Sequence, residues 1–172
     1  MRLLFAYVAQ HDTLHESSTP REALAFSAKL RSGSTETVDS LIHELGLESV
    51  ADTKISSLSG GERRRTSIGI ELVSNPSILL LDEPTSGLDS FAAKQVLGLL
   101  QKMARADNTV LFTIHQPSSD VFSSFDRLIL LHKGRMMYQG LTRDIPMDYE
   151  RMGYKVPDNY NPADWILVRC AA

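Results

Sequence analysis

Residues 58–90 read LSGGERRRTSIGIELVSNPSILLLDEPTSGLDS, and the two halves of this stretch decide the fold. In the first half Ser59, Gly60 and Gly61 directly precede a segment with helical spacing, with Ile68, Leu72 and Val73 on one face. Two glycines opening a helix leave backbone N–H groups unpaired and let a phosphate approach closely. In the second half the apolar run Ile78-Leu79-Leu80-Leu81 closes on Asp82 and Glu83. Such a run reads as a strand buried on both faces that delivers two acids at its C-terminal tip. Paired carboxylates there suit Mg2+ binding and activation of a water. Phosphate cradle, buried strand and acidic tip together point to nucleotide hydrolysis.

Composition narrows the setting. A chain of 172 residues fits one domain, able to bury roughly two-thirds of its unfolded surface. A net charge of -3 with 23% charged residues gives no nucleic-acid footprint. The single Cys170 excludes an internal disulfide. Every apolar run falls far short of the roughly 20 residues that span a bilayer, and residues 1–8 lack a signal-peptide pattern.

Outward from the centre, residues 3–8 read as a strand that runs into Gln10-His11-Asp12. His11 and His15, beside Asp12 and Glu16, have no third ligand at a useful spacing, which argues against zinc. Thr19 caps a helix with Pro20 in its first turn and Glu22 at the third position, running to about residue 30. Ser32-Gly33-Ser34 breaks it, a second helix covers 35–45, and Gly46 ends that one. The helix after Gly61 runs to about residue 73, where Asn75-Pro76 stops it. Glu62 complements its dipole. Arg63, Arg64 and Arg65 do not, so this triplet is expected to serve solvent, phosphate or a partner surface. A helix over 91–104 is capped by Asp89 or Ser90, a strand covers 109–114, and His115 stands at its end. A short helix over 119–124 precedes a hairpin of strands 127–131 and 135–139 turning at Lys133-Gly134.

These residues carry a resemblance. Leu58–Glu62 is similar to the signature motif of ATP-binding-cassette (ABC) ATPases, Ile78–Glu83 to their Walker B strand, and Ser86-Gly87-Leu88-Asp89 to their D-loop. The wording of SGGERRRTSIGIEL and DEPTSGLDS resembles the G subfamily, the White-type half-transporters. Gln10 matches the Q-loop of that family and His115 its switch histidine. Asn161-Pro162-Ala163-Asp164-Trp165 matches the place where the family leaves its nucleotide-binding domain for the membrane.

The resemblance implies an α/β fold of P-loop NTPase (RecA-like) type with an inserted helical subdomain, incomplete at the N-terminus. The helical subdomain with the signature would span 11–75, the RecA-like portion would take residues 1–10 and 76–140, and a C-terminal extension 141–172. It implies ATP hydrolysis driving transport, with ATP and Mg2+ as cofactors. Asp82 would bind Mg2+ through water, Glu83 would polarise the attacking water, and Gln10 would reach both metal and water. His115 would hold the γ-phosphate. Ser59, Gly60, Gly61 and Glu62 would face ATP held by a second nucleotide-binding domain, in a homo- or heterodimer, and Asp89 would couple the two sites. A transmembrane domain outside this chain would hold it on the cytoplasmic side of a membrane. No Gly-x-x-x-x-Gly-Lys-[Ser/Thr] occurs in the 172 residues. The chain alone is therefore expected to be a truncated and inactive piece, the alternative being a non-catalytic interaction partner of a full domain. A DNA-repair or chromosome-organising ABC ATPase would need a coiled-coil insertion and a basic surface, and the chain has neither.

Overall fold

The computed structural model describes residues 4–31, 33–106, 108–154 and 165–166. They fall into two units, Met1–Ile114 and His115–Ala172. In the first, strands β1 (Phe5–Val8), β2 (Ile78–Leu81) and β3 (Thr109–Phe112) form a parallel sheet in the order β1-β2-β3. Val8 pairs with Leu81 and Leu81 with Phe112, so the three C-terminal ends are level. Parallel neighbours need crossovers. Helices α1 (Pro20–Arg31), α2 (Val38–Glu44) and α3 (Gly60–Leu72) lie between β1 and β2, and α4 (Ser90–Arg105) joins β2 to β3. This is a mixed α/β fold with helical insertions, consistent with a P-loop NTPase-like core.

Local chemistry sets the helix ends. Thr19 and Glu22 cap α1 reciprocally: the Thr19 N–H donates to Glu22 Oε2 at 3.0 Å and the Glu22 N–H to Thr19 Oγ1 at 3.2 Å. Helix α2 is shorter than its spacing predicts. The Ser34 hydroxyl accepts from the Glu36 N–H at 3.2 Å, which holds the start in a side-chain turn instead of a helix. Leu45 still reaches the core, and Gly46, at φ +62°, turns the chain away.

Helix α3 is the centre of the unit: it packs on α1, on α4 and against β1. Its Gly69 sits where a Cβ would lie 2.4 Å from Leu45 Cδ1 and 2.9 Å from Leu24 Cδ2. The sheet departs from the expectation of a strand buried on both faces. Ala6, Val8, Leu79 and Leu81 are buried, whereas Phe5, Tyr7 and Leu111 on the opposite face are more than half exposed. Helix α3 touches β1 and α4 touches β3, and only the face of Ala6 and Leu79 is covered among the described residues. A four-residue apolar run does not reveal how many layers surround it.

The second unit contains α5 (Ser119–Phe122), an antiparallel hairpin of β4 (Arg127–His132) and β5 (Arg135–Leu141), and α6 (Ile145–Arg151). Lys133 and Gly134 both have positive φ (47° and 73°), as a tight two-residue hairpin turn requires. Phe122, Tyr138, Ile145, Tyr149, Trp165 and Ile166 form its core, with Trp165 edge-on to Tyr149 at 5.5 Å. Burial raises the Tyr138 pKa, aided by Asp148, whose Oδ2 lies 3.2 Å from the hydroxyl. The expectations for 161–164 and for the tail after Ile166 lie outside the described residues, as does Ser32. No described helix is long and apolar enough to cross a membrane.

Two glycine substitutions separate crowding from helix propensity. Leu24 and Leu45 are buried and cannot swing aside, so Gly69→Ala should cost about 1–3 kcal/mol. Gly98, in α4, faces open space, so Gly98→Ala should gain about 0.5–1 kcal/mol. Urea denaturation of the two variants checks the opposite signs.

Candidate functional site

The C-terminal ends of β1, β2 and β3 bring three loops together, the position where open parallel sheets bind ligands. Gln10 follows β1, Asp82 and Glu83 follow β2, and Thr113 follows β3. Gln10 Nε2 donates to Glu83 Oε2 at 3.1 Å. The Thr113 hydroxyl donates to Asp82 Oδ1 at 2.6 Å and accepts from the Glu83 N–H at 2.9 Å. Glu83 itself is left-handed at φ +41°. For a residue with a Cβ this costs of order 1–3 kcal/mol and persists only where neighbours enforce it. Glu83 O also accepts from the Ser86 N–H at 3.0 Å, so both its peptide groups are held.

The donor set fits Mg2+ of the kind that keeps waters and substrate phosphates as ligands. It is made of hard oxygens: two adjacent carboxylates and an amide. No described cluster of three or more His, Cys, Asp or Glu forms a cage made of protein alone. His11 and His15 belong to no such cluster, and His15 Nδ1 pairs instead with Ser17 Oγ at 2.9 Å.

The signature residues form a helix N-terminus with its cap in place. Ser59 and Glu62 make a capping box: the Ser59 N–H donates to Glu62 Oε2 at 2.8 Å and the Glu62 N–H to Ser59 Oγ at 3.4 Å. The Ser59 hydroxyl, then its N–H, then nearby Arg65 hold the Glu62 carboxyl below its ordinary pKa. Gly60 is exposed, but Gly61 is buried. A Cβ on Gly61 would lie 2.8 Å from Ala92 Cβ, so its small size serves the contact of α3 with α4. This packing role stands beside the expected approach of a phosphate to the Gly61 backbone, in which a Cβ takes no part. Asp89 is the cap of α4, its Oδ1 accepting from Phe91 N–H at 2.9 Å and Ala92 N–H at 2.8 Å. No described hydrogen bond joins Ser59, Gly60 or Gly61 to Asp82 or Glu83. His115 is exposed and opens the second unit.

The basic triplet is the largest correction. Arg64 and Arg65 are 4% and 8% exposed, and Arg63 pairs with Glu16 at 3.2 Å. Arg65 Nη1 donates to Gln95 Oε1 on α4 at 2.6 Å, and burial lowers its pKa. Arg64 reaches the loops of Gln10 and Asp82. Helical spacing carries a signal for both: Gly61, Arg64, Arg65 and Ile68 share the inward stripe of α3. Thr113 has a fainter one, a hydroxyl at the end of an apolar strand.

Comparison with known proteins bears on the family. A family model described as ABC transporter matches residues 1–86, and one described as ABC-2 type transporter matches 115–168. The chain is 45% identical to a broad substrate specificity ATP-binding cassette transporter, ABCG2, of Sus scrofa, covering 94% of the chain and 26% of that protein. It is 42% identical to ATP-binding cassette sub-family G member 8 of Homo sapiens (97% and 27%). It is 46% identical to ABC transporter G family member STR2 of Petunia hybrida (88% and 23%). The chain thus spans about a quarter of the length of the curated relatives it matches.

Gly61→Ala should lower stability by about 1–3 kcal/mol, and Ala92→Gly in the same chain should recover part of it. Thermal unfolding checks this; an unchanged midpoint in Gly61→Ala would return Gly61 to a purely ligand-facing role. Glu62 adds a pH dependence. Its folded pKa is depressed, so its charge stabilises fully above the ordinary carboxyl range and ceases to do so as pH falls through the folded value. Wild type should exceed Glu62→Gln by about 0.3–1 kcal/mol at neutral pH. The difference should shrink as pH falls below the ordinary carboxyl range and vanish once pH is below the depressed folded value, as denaturation midpoints across pH will reveal.

Proposed function

The chain belongs to the ABC transporter family, and from that premise we propose that it forms the water-activating and signature part of a G-subfamily ATP-hydrolysing domain. One observation carries this reading: Gln10, Asp82 and Glu83 converge at the C-terminal edge of a parallel sheet, with Glu83 enforced in a left-handed conformation. Strain of this kind collects where geometry matters more than stability.

In the proposed division of labour Asp82 holds Mg2+ through water, with its Oδ1 fixed by Thr113. Bound Mg2+ supplies charge neutralisation at the phosphate oxygens. Glu83 orients the attacking water and takes up its proton charge, and Gln10 steadies that carboxylate from the β1 loop. His115 contacts the terminal phosphate. Ser59, Gly60 and Gly61, at the start of α3, face nucleotide held by a second domain, with Asp89 at the junction. Glu62 serves this site through the cap it makes with Ser59, and Gly61 also through the packing it permits. The RecA-like portion is proposed as residues 1–10 and 76–140, the helical subdomain as 11–75 and the extension as 141–172. Transport across a membrane through an attached transmembrane domain is the proposed work of the whole assembly.

The 172 residues contain no P-loop, so the chain alone should bind ATP and Mg2+ with an affinity weaker than micromolar, which is about -8 kcal/mol. Calorimetry measures that. The catalytic reading is tested in a polypeptide where a P-loop-bearing segment of a G-subfamily relative precedes these residues. There Glu83→Gln should retain ATP binding and lose roughly 10²–10⁴ in single-turnover hydrolysis. Asp82→Asn should be partly rescued by excess Mg2+. Near-normal hydrolysis in Glu83→Gln would overturn the assignment and favour a non-catalytic interaction role.

A further inference from the structure

Arg64 points inward from α3, and all three of its guanidinium nitrogens are engaged. Nη1 donates to Ala9 O at 2.6 Å, to Gln10 O at 3.2 Å and to Asp12 Oδ1 at 3.0 Å. Nη2 donates to Asp82 O at 2.8 Å and Nε to Pro84 O at 3.2 Å. Four of these acceptors are backbone carbonyls, and they bracket the two residues proposed to act on water. Ala9 O and Gln10 O fix the peptide on which Gln10 sits. Asp82 O and Pro84 O lie on either side of Glu83.

This placement is more than a buried ion pair. Asp12 alone would balance the charge, and a cation kept only for that purpose needs no carbonyls from two loops. A planar fork with five N–H groups can hold several acceptors at fixed angles, which a lysine ammonium or an amide cannot. The bracketed residue is the strained one. Glu83 leaves its left-handed conformation only if the peptides beside it rotate; Arg64 holds the preceding one through Asp82 O and anchors the chain just beyond the following one through Pro84 O.

We propose that Arg64 is the positioning residue of the hydrolytic centre: from the signature helix it sets Gln10 and Glu83 in one geometry, so that a displacement of α3 reaches both. This rests on the function proposed above, and it assigns to the helix a grip on the acids of its own chain.

The test uses the same P-loop-bearing polypeptide. Arg64→Met should lower kcat by about 10- to 100-fold while the KM for ATP changes less than about threefold, since misplacement affects the chemical step. Arg64→Lys, which retains the charge but not the fork, should recover only part of the rate. Millimolar guanidinium added to Arg64→Ala should raise its rate, which lost stability alone would not produce. Arg63→Gln, next in sequence but tied to surface Glu16, should stay within about twofold of wild type. Should Arg64→Met fail to fold, amide exchange in Arg64→Lys decides: protection should fall at Glu83 and Gln10 and hold in α1. Hydrolysis that survives Glu83→Gln would remove the centre itself. Hydrolysis lost in Glu83→Gln but normal in folded Arg64→Met, or unchanged exchange in Arg64→Lys, would overturn the positioning role alone.

Discussion

A guanidinium removed from water must keep its donors occupied, and the Arg64 side chain meets that demand by collecting two loops and a carboxylate around itself. The loops after β1 and β2 have no regular structure of their own at this point. Their backbone carbonyls are satisfied by a helix that enters from another part of the chain. Remove the cation and Asp12 becomes an unpaired acid that is largely buried. The sheet edge, the acid pair and α3 are therefore one cooperative object.

Close approach completes what the cation begins. Gly61 and Gly69 let α3 lie against Ala92 on one side and against Leu45 and Leu24 on the other, at distances a side chain would forbid. Arg65, bonded to Gln95 on α4, belongs to the same inward stripe. Thus one helix carries the capped signature at its N-terminus, the tie to the acids one turn later, and the seat of the helical insertion at its far end.

The elements were legible where a local rule decides them. Thr19 with Glu22 writes a helix start in four residues, Asp89-Ser90 marks another, and Lys133-Gly134 writes a hairpin turn. Gln10, Asp82 and Glu83 could be singled out because motif order placed them at strand ends. What the chain did not disclose is long-range. Three adjacent arginines look alike in one dimension, and only the α3 stripe divides Arg63 from Arg64 and Arg65. Thr113 is a common residue at the end of a strand, and its two bonds exist because β3 ends level with β2. Whether Ile78–Leu81 is covered on one face or two depends on layers that the run itself does not encode.

The left-handed conformation of Glu83 also has a meaning for descent. At this position the residue that favours folding and the residue proposed for chemistry differ. Gly, or less strongly Asn, takes a positive φ at little cost, whereas Glu holds it at a standing expense in stability. A lineage relieved of the need for a carboxylate would drift toward the relaxed residue, because most chains sit close to the threshold at which folding fails. On the proposed role, position 83 would work as a record among relatives: a glutamate kept there against the backbone's preference would mark a copy under selection for its acid.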